Sequence, residues 1–243
     1  MKEPPGHGQF VTTHWSLISA AKSDEANRTL AREALEELCR IYWYPLYAFV
    51  RSRGYSAIDA QDLTQEFFAR IIETHGFASV DRERGRFRSY LLGAMKHFLA
   101  NEYHRAQTQK RGGRVRFIES DGLDPEARYD AAIEQSDNPE LLFDREWALQ
   151  TIAGALKELR DEMAKAGKSE QFDVLKGSLT GQDELPREQI AAKLGMSEGA
   201  VKVAVHRLRQ RYHKLLRDAI ARTVSNVADL EDEMRYLVAV LRK

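Results

Sequence analysis

Between Pro186 and Arg217 the chain allows few folds. Pro186 suits the first turn of a helix, where its missing N–H costs nothing. Ile190, Ala191 and Leu194 then share one face at helical spacing. Gly195 can take the left-handed conformation that ends such a helix, and Ser197 is a ready N-cap for the next. In that second helix Val201, Val205 and Leu208 face inward. Lys202, His206, Arg207, Arg209, Gln210 and Arg211 are left outside. Two helices joined by a tight Gly turn, with the small Ala191 letting them approach, predict a helix-turn-helix. From Ala200 to Arg217 there are six Lys or Arg and no acid, so the second helix offers a duplex a positive face.

Charge is uneven along the rest of the chain, although Lys plus Arg and Asp plus Glu balance at 37 each and so argue against a uniformly basic protein. Residues 82–116 hold ten Lys or Arg against Glu83 and Glu102 alone, which marks a second candidate nucleic-acid surface. Arg82, Arg84, Arg86, Arg88, Lys96, His97, Asn101, His104 and Arg105 are its candidates, on a loop over 74–86 and a helix from Phe87 to about Gln107. The run Lys110–Arg116 reads as a flexible basic arm. The sign then reverses, with ten acids against Arg128 and Arg145 over residues 119–146, so 119–138 reads as a poorly ordered acidic spacer.

Helical periodicity accounts for most of what remains. Thr12 to Ala21 predicts a short helix, and a longer one runs from about Thr29 with Pro45 placed to kink or divide it. Tyr42, Trp43, Tyr44 and Tyr47 fit a core better than base stacking, because they recur at helical spacing. Ser56 and Asp59 resemble a capping box ahead of a helix from Ala57 to about Glu73. Its inner face is Ala60, Leu63, Phe67, Phe68, Ile71 and Ile72. Asp62, Gln65, Glu66, Ala69 and Glu73 form an acidic-polar stripe that fits both a solvated face and a docking surface for a basic partner. Asn138 or Pro139 opens a long helix ending near Gly167, and a helix around Phe172 to Leu179 supports the helix-turn-helix. Val227, Leu230, Met234, Leu237 and Leu241 predict an amphipathic tail helix that packs back on its own domain, recruitment of a regulator being the other use that fits.

Cys39 is the only cysteine, which excludes an intrachain disulfide and thiolate metal clusters. There is no His-Glu-x-x-His or P-loop pattern, no membrane-length apolar run and no signal-peptide pattern. The expectation is a soluble, cytoplasmic, non-enzymatic protein with no metal, cofactor or membrane insertion.

The segments Tyr42–Arg51 (YWYPLYAFVR), Asp59–Phe68 (DAQDLTQEFF) and Phe87–His97 (FRSYLLGAMKH), followed by Leu185–Arg209, resemble the bacterial RNA polymerase sigma factors of the extracytoplasmic-function (ECF) class. The resemblance covers about residues 29–108 and 145–218, and the two motifs together are more specific than either alone. It implies an all-α fold of two small domains: 29–108 resembling sigma region 2, and 145–218 resembling the region 4 helix-turn-helix. A tail and short helix over 1–28, a flexible linker over 109–144 and a helical extension over 219–243 complete the division.

The resemblance further implies promoter DNA and core RNA polymerase, through its clamp helices and flap, as partners; an anti-sigma factor or other regulator is the further partner the class allows. Asp62, Gln65 and Glu66 correspond to the surface that holds the clamp helices. Arg88, Lys96, His97, Asn101 and Arg105 correspond to the element that melts the minus-ten region and captures flipped bases. Glu198, Lys202, Val203, His206 and Arg207 correspond to the face that reads the minus-thirty-five major groove. Ala204 departs from the basic residue common in the class, and the 109–144 linker, the 219–243 tail and the Thr13–Ser16 segment exceed the usual pattern. The competing reading is a helix-turn-helix regulator that binds DNA without polymerase.

Overall fold

The computed structural model describes residues 25–73, 86–108, 124–133, 138–180, 185–224 and 227–242, and among them every regular element is a helix. The expected helix over 12–21, most of the 74–86 loop and the Lys110–Arg116 arm lie outside the described residues. The chain divides into two compact units, one formed by residues 1–150 together with 220–243 and the other by residues 151–219.

The first unit is built around helix α1, Glu25–Ser52, which runs undivided through Pro45. Proline removes one intrahelical hydrogen bond. Here every residue from Tyr42 to Val50 is buried, so packing on all sides holds the helix together across that gap. Gly54 ends the segment at φ +92°, donating its N–H to Arg51 O at 2.9 Å.

Helix α2, Ala57–Glu73, starts where Ser56 Oγ accepts the Asp59 N–H at 3.1 Å, while the Ser56 hydroxyl donates to Asp59 Oδ2 at 2.7 Å. Helix α3, Phe87–Thr108, packs Phe98 edge-on against Phe67 of α2 at 5.7 Å, and Phe87 against Tyr42 of α1 at 5.2 Å. Burial pushes the Cys39 thiol up to about 12, helped by the Glu36 carboxylate, so it stays protonated and unreactive at neutral pH.

The acidic stretch expected as a spacer is in part a docked helix. Helix α4, Pro125–Ile133, buries Tyr129 and Ala132, and Asp124 Oδ1 caps it by accepting the Glu126 N–H at 3.1 Å. Its Glu126 takes a forked pair of bonds from Arg51 of α1 at 2.7 and 2.8 Å and also accepts the Tyr47 hydroxyl. Arg128 lies 3.6 Å over the Tyr44 ring and pairs with Glu146. Composition alone reads these acids as solvated; their partners on α1 turn them into anchors.

The Arg51 hydrogen bond, and after it that of Tyr47, lowers the Glu126 pKa against an opposing effect of burial. A lowered carboxylate stabilises the docked form above its unfolded value, about 4.3, and that contribution is lost as pH falls through the folded value. Helix α4 should therefore come off α1 in acid but not at neutrality. Hydrogen–deuterium exchange over 125–133, corrected for intrinsic rates, should rise as the pH is lowered below that unfolded value. Glu126→Gln should expose the segment already at neutral pH and remove the acid step.

Helix α5, Pro139–Lys165, begins where Asn138 Oδ1 accepts the N–H groups of Glu140 and Leu141 at 2.9 and 3.3 Å. Its first part buries Leu142, Phe143 and Trp147 in the first unit, and the chain passes into the second unit after Gln150.

The second unit takes up the rest of α5 with α6 (Ser169–Leu175), α7 (Gly177–Thr180), α8 (Arg187–Leu194) and most of α9 (Glu198–Ala221). Ala155, Leu159, Phe172, Leu175, Ile190, Ala191, Val201 and Leu208 form its core. The last helix, α10 (Val227–Val240), belongs to the first unit, where Leu230, Glu233, Leu237 and Val240 are buried. The tail thus joins the N-terminal unit, not the helix-turn-helix it follows in sequence.

Candidate nucleic-acid interfaces

The α8–α9 pair has the expected turn. Gly195 stands at φ +61°, ψ +31°, with its N–H on Ala192 O and the Met196 N–H on Ala191 O, and Ser197 Oγ then caps α9 by accepting the Ala200 N–H at 3.2 Å. Pro186 sits one place earlier than expected, as the N-cap and not within the first turn.

Two of the arginines read as outward-facing secure the helix. Arg209 donates to Ser178 O at 3.0 and 2.6 Å, and Arg211 forks onto Glu162, with one bond at 2.7 Å. That pair raises the Arg211 pKa and lowers that of Glu162. Tyr212 adds a bond to Ile152 O at 3.4 Å. With its inner side tied down, α9 exposes Glu198, Lys202, Val203, His206 and Arg207 together, Val203 being 48% exposed. An acid, two cations, an imidazole and an apolar side chain on one ridge match the donor, acceptor and methyl pattern of a major groove.

On α3 the expected residues separate into two groups. His97, Asn101, His104 and Arg105 are exposed near the middle and end of the helix. Lys96 is also exposed and pairs with Glu140, a surface contact of little energetic weight that a phosphate can replace. Arg105 pairs with Glu102 at 3.0 Å. Arg88 is different. It is only 6% exposed, donates to both Asp144 of α5 and Glu233 of α10, and lies 5.0 Å from the Trp147 ring and 4.3 Å from that of Tyr236. The expectation of Arg88 on a DNA-facing surface is corrected: its partners lie 56 and 145 residues away, beyond any helical pattern.

On α2, Asp62, Glu66, Ala69 and Glu73 form an exposed stripe, but Gln65 does not belong to it. Gln65 is 6% exposed, and its Oε1 has no hydrogen-bond partner among the described residues. It falls beside Phe68 on the inner side, where the 3.6-residue turn carries it. Sequence reasoning also passed over two exposed side chains. Ile58 heads the acidic stripe at 73% exposure, four residues before Asp62, and Tyr103 stands 59% exposed between Asn101 and Arg105. An apolar residue one helical turn from a polar stripe was the only available signal for the first. The second had none, since an aromatic within a helical pattern reads as core.

A family model of the ECF sigma factor matches residues 24–218. The chain belongs to the ECF sigma factor family. Sigma factors of this class act in transcription initiation, with core RNA polymerase and promoter DNA. The match runs from the start of α1 to near the end of α9 and leaves α10 outside. No curated protein and no solved structure gives a significant match. Among the described residues no helix is long and apolar enough to cross a membrane, and no group of three or more His, Cys, Asp or Glu is arranged to hold a metal ion.

Proposed function

We propose that this ECF sigma factor grips core RNA polymerase through the outer face of α2, with Asp62 and Glu66 as its charges and Ile58 as an apolar anchor. A small desolvated apolar contact rimmed by polar groups is a common form for an interface hot spot. The second unit reads the minus-thirty-five element with Glu198, Lys202, Val203, His206 and Arg207. Lys202 and Arg207 reach guanine edges or phosphates, and Glu198 accepts from a cytosine amine.

Helix α3 takes the minus-ten element. Lys96 and Arg105 screen the phosphates of the opened strand, and His97 and Asn101 contact its bases. Tyr103 adds an aromatic face for stacking, an interaction tolerant of base identity. The observation that carries this reading is the ridge on α9, five exposed side chains suited to base edges on a helix fixed from behind by Arg209 and Arg211.

Run-off transcription with core polymerase on a pool of promoter fragments tests it, comparing the unchanged chain with Asp62→Lys/Glu66→Lys. Gln65 is left alone because its burial would confuse loss of docking with loss of fold. The expected result is initiation at discrete sites by the unchanged chain and at least tenfold less by the variant, with equal helicity and equal duplex binding. Discrete initiation by both would discard the α2 face. Sequence-specific duplex binding with no initiation by either would leave a helix-turn-helix regulator independent of polymerase.

A further inference from the structure

Helix α3, proposed above for the minus-ten element, is steered from its first turn, which carries none of the residues proposed to meet DNA. Phe87, Arg88, Leu91, Met95, Phe98 and Leu99 are buried, whereas from Ala100 to Arg105 no residue is. Asn101, Tyr103 and Arg105 thus stand on a projecting half, and the anchored half sets where they point. At 1.5 Å per residue Arg105 lies about 27 Å along the helix from Phe87, so a tilt of about 10° moves it by about 5 Å. A binding constellation works only when held to within about 0.5 Å and about 10–20°.

Much of what holds that first turn comes from the far end of the chain. The Phe87 N–H, an end group of the helix that needs an acceptor, donates to Thr223 O at 3.4 Å. Arg88 forks onto Glu233 of α10 at 2.9 and 3.3 Å and donates also to Asp144 of α5. Its guanidinium lies 4.3 Å from the centre of the Tyr236 ring, and the Tyr236 hydroxyl donates to the same Asp144. Arg86, just before the helix, reaches Glu233 at 3.1 Å. Thr223, Glu233 and Tyr236 all fall outside the 24–218 stretch that the family model matches. A buried ion cluster is weak evidence for stability, because apolar residues of similar volume often replace one without loss. Apolar contact is non-directional, however, and would leave the first turn free to roll. The fork from Arg88 to Glu233 and the second bond to Asp144 allow one roll and one tilt.

We propose that α10 is a positioning element for promoter opening: Glu233, through Arg88 and Arg86, and Thr223, through the Phe87 N–H, hold the first turn of α3 in the orientation from which its outer half opens the minus-ten strand. The proposal rests on the sigma reading above. Glu233 and Thr223 touch no DNA and act only through α3. A helix beyond the family pattern is therefore part of the working unit, and it stays docked while that unit works.

The test compares initiation with core polymerase on an intact promoter and on one whose minus-ten stretch is mismatched and so already open. Two variants of the full chain are used. Glu233→Gln changes the tail alone, and Arg88→Met/Asp144→Leu/Glu233→Leu removes the directional bonds while keeping the apolar packing. Circular dichroism and denaturant unfolding show that each is folded under the assay conditions. On the intact promoter both should initiate about tenfold less than the unchanged chain, or lower still, since small misplacements are costly. On the open promoter they should come within about twofold of it, because the aim of α3 matters most where the strands start paired. Binding to a duplex carrying only the minus-thirty-five element should not change. A loss of the same size on both templates would mean that the cluster only stabilises the unit. Full initiation on the intact promoter by a folded variant would mean that α3 is aimed without the tail. Either result overturns the positioning role alone. An unchanged chain that initiates on neither template would overturn the sigma reading, and the positioning role with it.

Discussion

Arg88→Ala should destabilise the first unit by about 3–5 kcal/mol, the usual cost of removing one partner from a buried ion network. The substitution strands Asp144 and Glu233 without their shared cation, and Glu233 is itself only 1% exposed, with Arg86 as its remaining partner. It also leaves the Trp147 and Tyr236 rings facing a void where the guanidinium stood. Arg88→Lys should not restore the loss, since one ammonium cannot reproduce a fork to one acid and a second bond to another. Arg88→Met/Asp144→Leu/Glu233→Leu, which removes the charges together, should recover most of it. Denaturant unfolding followed by tryptophan fluorescence, to which Trp43 and Trp147 of this unit contribute, distinguishes these cases. Equal stability of Arg88→Ala and the unchanged chain would show that the cluster is solvated in solution.

Val201→Asp should unfold the second unit. Val201 is fully buried at the start of α9, packed in the core that also holds Ile190, Ala191 and Leu208. A carboxylate placed there without a partner costs several kcal/mol, a large fraction of the stability of a unit of 69 residues. Sequence-specific duplex binding should fall by at least 100-fold, because the ridge proposed to contact bases depends on the helix that Val201 anchors. The first unit should keep its helicity and the polymerase contact proposed for it. Limited proteolysis should find new cleavage sites concentrated within 151–219. Loss of structure in both units at the same denaturant concentration would mean that they fold as one cooperative body.

Local chemistry was readable, and distant pairing was not. Gly195, Ser197, Ser56 and Asn138 act within four residues of themselves, so turn and cap could be read from neighbours alone. On α9 the outward positions Lys202, His206 and Arg207 were legible for the same reason, since their apolar counterparts repeat on the opposite side of one helix, whereas Glu198 and Val203 came only from the resemblance.

Pro45, expected to kink or divide the helix, does not divide it, because the rule for proline describes an isolated helix, whereas α1 is enclosed around that position. Helix α4 escaped notice because composition counts acids without knowing that Arg51 waits for Glu126. Arg88 and Gln65 were assigned outward because a charged or amide side chain normally faces water. Only the fold shows that Arg88 has acids beside it, and that Gln65 turns inward beside Phe68.

The first unit is assembled from two stretches of chain, 1–150 and 220–243, with the helix-turn-helix unit made between them. This has a consequence for synthesis. Contacts of the second unit all lie within its 69 residues, so it can form early, whereas Arg88 must wait for a partner 145 residues further on. Until Glu233 emerges, a nascent chain carries a finished helix-turn-helix unit attached to an unfinished first unit. The order of manufacture thus places completion of the first unit after that of the second.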